Sequence, residues 1–173
     1  DKWTSGKDSH FINGLEEGRT YILSETVSPK EYVKSTDIEF TVSKEKVNEK
    51  VNMKDKQVNV SKLTVGGEEV TGALMQIIDE DGNVVDEWYS EGKSHIANGL
   101  EEGKTYTLHE DLSPLGFNLA NDFTFEVTKE KENQTVEMID TVTEVNKTDV
   151  DGKAVKEATL SIVSEKTKDI VDQ

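Results

Sequence analysis

Apolar and polar residues alternate along most of this chain in short stretches, broken by turns rich in Gly, Asp, Asn and Glu. Alternation with a period of two is the mark of strands with one buried face, and no stretch carries a convincing helical period. From residue 56 to 141 the pattern predicts about seven strands: Gln57–Val65, Ala73–Asp79, Val84–Ser90, a short one at Ser94–Ile96, Thr105–Leu112, Phe123–Thr128 and Gln134–Thr141. Turns at Gly66-Gly67, Asp79–Asn83, Gly99–Lys104 and Glu130–Asn133, and a Ser-Pro loop at Ser113–Asp122, separate them. Short antiparallel-type strands of this number predict an all-β sandwich.

Three of these strands carry a charge on their apolar face. Residues two apart share a face, so Lys62 follows Val58 and Val60, Glu110 follows Tyr106 and Leu108, and Asp140 follows Val136 and Met138. A charge facing a core is costly unless it is paired. One base and two acids at matching strand positions would satisfy one another if they met.

The chain also repeats itself. His10, Tyr21, Pro29 and Phe40 match His95, Tyr106, Pro114 and Phe125, each 85 residues on and without gaps. Asp55 matches Asp140, and Lys62 matches Lys147 in the same register. The expected organisation is therefore one complete repeat at 56–141, the back of a repeat at 1–55 and the front of another at 142–173. Ile170–Gln173 aligns with the residues before Trp88 once one residue is inserted in the preceding turn. The split repeat carries the same three charges: Glu25 after Leu23, Asp55 after Val51 and Met53, and Lys147 after Val145. The chain reads as a piece of something longer, its end domains split between the termini.

Composition narrows the function. With 36 Asp and Glu against 20 Lys and Arg the net charge is −16, which argues against nucleic acid or anionic lipid as a partner. The absence of cysteine excludes disulfides and thiolate metal sites. No apolar run is long enough to cross a membrane. Asp79–Asn83 and Asp149–Gly152 resemble calcium loops in composition but lack the distal Glu, and Asp-Gly suits a hairpin turn. His10, His95 and His109 have no partners at metal-ligand spacing, and no nucleophile–base arrangement or phosphate loop is evident. Neither a metal nor a cofactor is expected.

The charged triad has a structural and a chemical reading. It is either an ion-pair cluster, or charges at strand ends reaching solvent, or a reaction centre. Burial favours the uncharged forms of amines and carboxyls, and a neutral amine facing a protonated carboxyl beside a second, proton-shuttling carboxyl is set up for amide formation.

The segments S-K-L-T-V at Lys62, Y-T-L-H-E at Glu110, V-E-M-I-D at Asp140, G-L-E-E-G-K-T-Y and E-D-L-S-P-L-G-F together resemble the Cna-B-type domains of Gram-positive surface adhesins and pilins. The likeness covers the full repeat and both fragments. It departs in having Asp140 where Asn is commoner, and Glu31-Tyr32 where the pattern has Gly-Tyr. The resemblance implies an immunoglobulin-like or prealbumin-like β-sandwich, an autocatalytic Lys62–Asp140 isopeptide bond with Glu110 as proton relay, and loss of water. Lys147, Glu25 and Asp55 would be the corresponding set of the split repeat, completed between neighbouring chains or along a longer array. It implies a secreted, cell-surface or cell-wall-associated stalk whose partners are adjacent copies, with no turnover enzyme activity. The alternative is an adhesin repeat that contacts a host or matrix ligand directly.

Overall fold

The computed structural model describes residues 1–45, 49–130 and 132–171, and every regular element among them is a strand. The chain divides into two compact units, Asp1–Thr141 and Val142–Gln173.

Within the first unit, the strands β1 (Thr20–Leu23) and β2 (Ile38–Thr41) pair antiparallel by themselves. The remaining seven form two sheets. Strands β3 (Gln57–Thr64), β6 (His95–Ile96) and β9 (Asn133–Asp140) make a three-stranded sheet in the order β6-β3-β9. Strands β4 (Thr71–Ile78), β5 (Val84–Glu91), β7 (Thr105–Leu112) and β8 (Phe123–Glu126) make a four-stranded one in the order β5-β4-β7-β8. The seven expected strands of the complete repeat are all present, with ends shifted by up to two residues. Where β4 begins at Thr71, two residues ahead of the expected Ala73, the shift coincides with an irregular register against β5. Of the expected Glu130–Asn133 turn, Lys131 lies outside the described residues.

The core is what the alternation encodes. Val58 and Val60 of β3, Val136 and Met138 of β9, Ala73, Met75 and Ile77 of β4, and Tyr106 and Leu108 of β7 are all buried in one cluster. The first and last strands of the repeat, β3 and β9, are adjacent and parallel, Lys62 standing opposite Met138 and Thr64 opposite Asp140. Parallel neighbours need a long crossover, and here the crossover is the entire rest of the repeat.

Local structure recurs with the 85-residue period. Tyr21 lies 6.0 Å from Phe40 and Tyr106 lies 6.1 Å from Phe125, both pairs tilted by 33°. The amide of Glu16 donates to the Tyr21 hydroxyl and that of Glu101 to the Tyr106 hydroxyl. Trp3 stacks on His10 as Trp88 stacks on His95. In the second unit, Val155 N donates to Lys147 O just as Val70 N donates to Lys62 O. The Val163–Ile170 bridge repeats the Ile78–Val84 pair with one extra residue in the turn. The last two residues of that aligned stretch, Asp172 and Gln173, lie outside the described residues.

What does not recur is burial. Residues 49–55 and 142–147 carry the alternation of a last and a first strand, yet neither forms one. A strand needs a neighbour to take its N–H and C=O groups, and among the described residues no strand pairs with either stretch. Tyr21 and Phe40 are accordingly half-buried where Tyr106 and Phe125 are buried. No described helix is long and apolar enough to cross a membrane.

This asymmetry is measurable. Leu108 is fully buried, and Leu108→Ala is expected to cost about 2–5 kcal/mol in denaturant unfolding. Leu23→Ala, at the equivalent half-buried position, should cost about 1 kcal/mol or less. Equal losses would contradict the incomplete core.

Candidate functional site

Lys62 leaves β3 toward the core because the strand's pleat puts it on the face of Val58 and Val60, and Asp140 does the same from β9. The register sets Asp140 two residues beyond Lys62's direct partner, Met138, a diagonal that a long lysine side chain spans. Glu110 approaches from the other sheet, where Met75 is its partner on β4. The side chains of Lys62, Glu110 and Asp140 are 2%, 0% and 0% exposed.

Lys62 Nζ donates to Asp140 Oδ1 and lies 3.1 Å from Glu110 Oε1. That second approach is close but not aligned as a hydrogen bond, so Glu110 Oε1 and Asp140 Oδ2 are both buried without a hydrogen-bond partner. Glu110 is held from behind: the Ala120 amide, on the Ser113–Asp122 loop, donates to its Oε2 at 2.7 Å. Burial raises the Asp140 pKa above the ordinary carboxylate range; the Lys62 bond and charge oppose this, and the Glu110 charge adds to it. The neutral form of Asp140 is thereby easier to reach, next to the Lys62 side chain and a second carboxyl.

The other set is placed differently. The Ser35 amide donates to Glu25 Oε2 at 2.8 Å, repeating the Ala120–Glu110 bond at the 85-residue offset. Glu25 is only half-buried and Asp55 is exposed. Lys147 belongs to the second unit and is exposed there. One triad is thus assembled in a core, while the members of the other stand at fragment surfaces.

The remaining sequence candidates are structural. The Asp79 carboxylate accepts from the amides of Asp81 and Asn83, and that of Asp149 from Asp151 and Lys153, so both acidic stretches are closed hairpin turns. Among the described residues no cluster of His, Asp and Glu has metal-binding geometry. The histidines do have partners, namely Asp1 for His10, Asp86 for His95 and Asp122 for His109. Sequence reasoning missed these pairs, although the recurrence of Asp and His nine residues apart in both copies was available as a signal. Burial would raise the Asp86 pKa, but bonds from His95 and the Asn98 amide outweigh it and hold it below the usual range. Trp88 is half-buried and packs against the core cluster.

The SpaA prealbumin-like fold domain family matches the chain twice, over residues 1–57 and 56–142. The chain belongs to that family. No curated protein matches it. Similar solved structures include the Bacillus anthracis TIE protein, at 20% identity and a TM-score of 0.43 over 72% of this chain and 25% of that one. The shaft pilin SpaA of Lactobacillus rhamnosus GG is 16% identical, with a TM-score of 0.44 over 73% of this chain and 65% of that one. BcpA, the major pilin subunit of Bacillus cereus, is 22% identical, with a TM-score of 0.41 over 49% and 28%. The chain therefore spans from about a quarter to two-thirds of the length of these relatives.

In Lys62→Met no cross-link can form and Asp140 keeps its burial without its cation. A carboxyl whose folded pKa lies above its unfolded one stabilises below the unfolded pKa and loses that contribution as pH rises through the folded value. Lys62→Met should therefore lose about 1–3 kcal/mol between roughly pH 4 and pH 7 relative to Lys62→Met/Asp140→Asn. Parallel pH profiles of the two variants, read by urea midpoint, would refute this.

Proposed function

We propose that the complete repeat is a structural stalk module of a bacterial surface fibre, cross-linked by a self-formed isopeptide bond between Lys62 and Asp140. The observation that carries this reading is the contact of the Lys62 amine with the Asp140 carboxyl, beside Glu110, in a site with almost no access to water. Membership of the SpaA prealbumin-like fold domain family supports the structural role.

The chemistry balances within the three side chains. Glu110 relays a proton from the Lys62 ammonium to the Asp140 carboxylate, leaving a neutral amine and a neutral acid. Nζ attacks the Asp140 carboxyl carbon, forming the N–C bond. The C–O bond to the protonated oxygen then breaks, and that oxygen leaves as water with a proton returned through Glu110. Proximity supplies most of the acceleration, since both reactants are held on adjacent strands. Exclusion of water removes the competing solvation of the ion pair and slows the reverse hydrolysis. The event is a single turnover and leaves no regenerated catalyst.

A bond between Lys62 and Asp140 would close a loop of 78 residues. On the entropic account of cross-links, a closure of that length stabilises by about 4–5 kcal/mol. Intact mass should fall by about 18 Da for one bond, the loss of one water. Lys62→Ala, Glu110→Ala and Asp140→Ala should each abolish that loss, and an unaltered wild-type mass would refute the reading.

The second set extends the proposal. Lys147 of one copy would meet Glu25 and Asp55 of the next, so that two fragments complete a repeat between chains. A heterologous contact of this kind does not close and propagates into a fibre. In a longer array the same residues would meet along one chain. Denaturing electrophoresis of the 173-residue polypeptide decides between them: a ladder that Lys147→Ala removes supports joining between chains, and a single band refutes it.

A further inference from the structure

The G-L-E-E-G turn has a second role that the cross-link does not use. Asp55, the counterpart of the last core residue Asp140, is followed after one residue by β3, so no linker separates one repeat from the next. At this junction the loop of the first repeat reaches over onto the second. Val33 is 1% exposed and is part of the complete repeat's core cluster, although it belongs to the preceding one. Its amide donates to Lys56 O, the Lys34 amide donates to Leu100 O, and the Glu102 amide donates to Lys34 O. Asn98 accepts from the Glu31 amide, and Glu31 holds a φ of 69° where the equivalent position is Gly116. A left-handed non-glycine residue carries strain that surrounding contacts must offset.

Glu102 is the centre of this seat. Its Oε2 accepts from both the amide and the hydroxyl of Thr36, at 2.9 Å each, and its Oε1 lies 2.5 Å from Lys56 Nζ. The Glu102 side chain is only 7% exposed, so these bonds are made away from water, where losing a partner is costly. Lys34 and Lys104 flank it, each paired with Glu101.

We propose that Gly99–Gly103 is a docking turn for the preceding repeat, and that Glu102 latches the joint between consecutive repeats into one fixed orientation. The partner is the loop Glu31–Thr36 together with Lys56, and its recognition is by two hydroxyl and amide donors, one cation and the Val33 side chain. The loop side of the latch does not recur 85 residues on, where Asn121 stands for Thr36. At the equivalent edge of the complete repeat Leu115, Leu119 and Ile139 replace Lys30, Lys34 and Lys54, and Thr141 replaces Lys56.

The joint matters mechanically on the cross-link reading. With Lys62 and Asp140 bonded, and Asp55 likewise in its own repeat, only the eight residues from Asp55 to Lys62 would carry tension between one bond and the next. The loop contacts brace that span, Ser35 Oγ donating to Lys54 O and Val33 N to Lys56 O. Docking itself does not depend on the bond.

Hydrogen exchange on the 173-residue chain tests it. The amides of Lys34, Thr36 and Glu102 should be protected in the wild type, and Glu102→Ala should lower their protection roughly tenfold or more. Protection in β7 and the intact mass should stay unchanged, which separates this outcome from failure of the cross-link. Thr36→Val, which removes only the hydroxyl donor from the loop side, should produce a smaller loss at the same amides. Unprotected wild-type amides, or protection that both variants leave intact, would overturn the latch. If Glu102→Ala also unprotects β7, the Thr36→Val result alone decides.

Discussion

Lys62, Glu110 and Asp140 are all removed from water, and each such removal costs several kcal/mol unless another charge or dipole replaces the lost solvent. Here the replacement comes from the three groups themselves and from one backbone amide, that of Ala120. The consequence reaches well beyond the site. The amine and one acid must lie on neighbouring strands, the second acid on the facing sheet, and the Ser113–Asp122 loop must fold over to donate its amide. A sandwich with β3 and β9 in any other register would leave a buried charge unpaired. The cluster therefore specifies pairing, register and one loop at once, which apolar contacts between interchangeable Val and Met side chains do not.

Two buried oxygens, Glu110 Oε1 and Asp140 Oδ2, lack hydrogen bonds, and as a purely structural ion pair the cluster would be poorly designed. Replacing such groups with apolar residues of similar volume is often neutral or stabilising. A site whose purpose is a covalent bond has different demands. On the proposed cross-link, condensation would replace three ionisable groups by an amide and one carboxyl, a product better matched to a dry core than the reactants.

Much of this was legible because strands have a period of two. Val58-Val60-Lys62, Tyr106-Leu108-Glu110 and Val136-Met138-Asp140 put each charge on a core face by alternation alone. Periodicity failed where structure depends on partners distant in sequence. Nothing local distinguishes Val136–Asp140, which forms a strand, from Val51–Asp55, which does not; the difference is whether a counterpart of β3 lies alongside. The histidine–aspartate pairs and the Glu102 seat escaped for the same reason, since Glu101 and Glu102 read as a solvated turn until Thr36 and Lys56 arrive from the preceding repeat.

Two features of the chain thus answer different parts of one mechanical problem. In the proposed stalk, tension along an array would enter β3 and leave β9, and because these strands are parallel neighbours the load would shear them along their length. A bond between Lys62 and Asp140 would take that load off the sheet, leaving the residues between bonds as the compliant part. That span is short, lies at the joint, and is the part of the backbone that the loop around Val33 and the Glu102 carboxylate hold. On the proposed cross-link and latch, stiffness within a repeat would be covalent, whereas stiffness between repeats would come from a buried carboxylate satisfied by its neighbour. The exchange of Lys30, Lys34 and Lys54 for Leu115, Leu119 and Ile139 means that successive joints need not share one chemistry even where successive repeats share one fold.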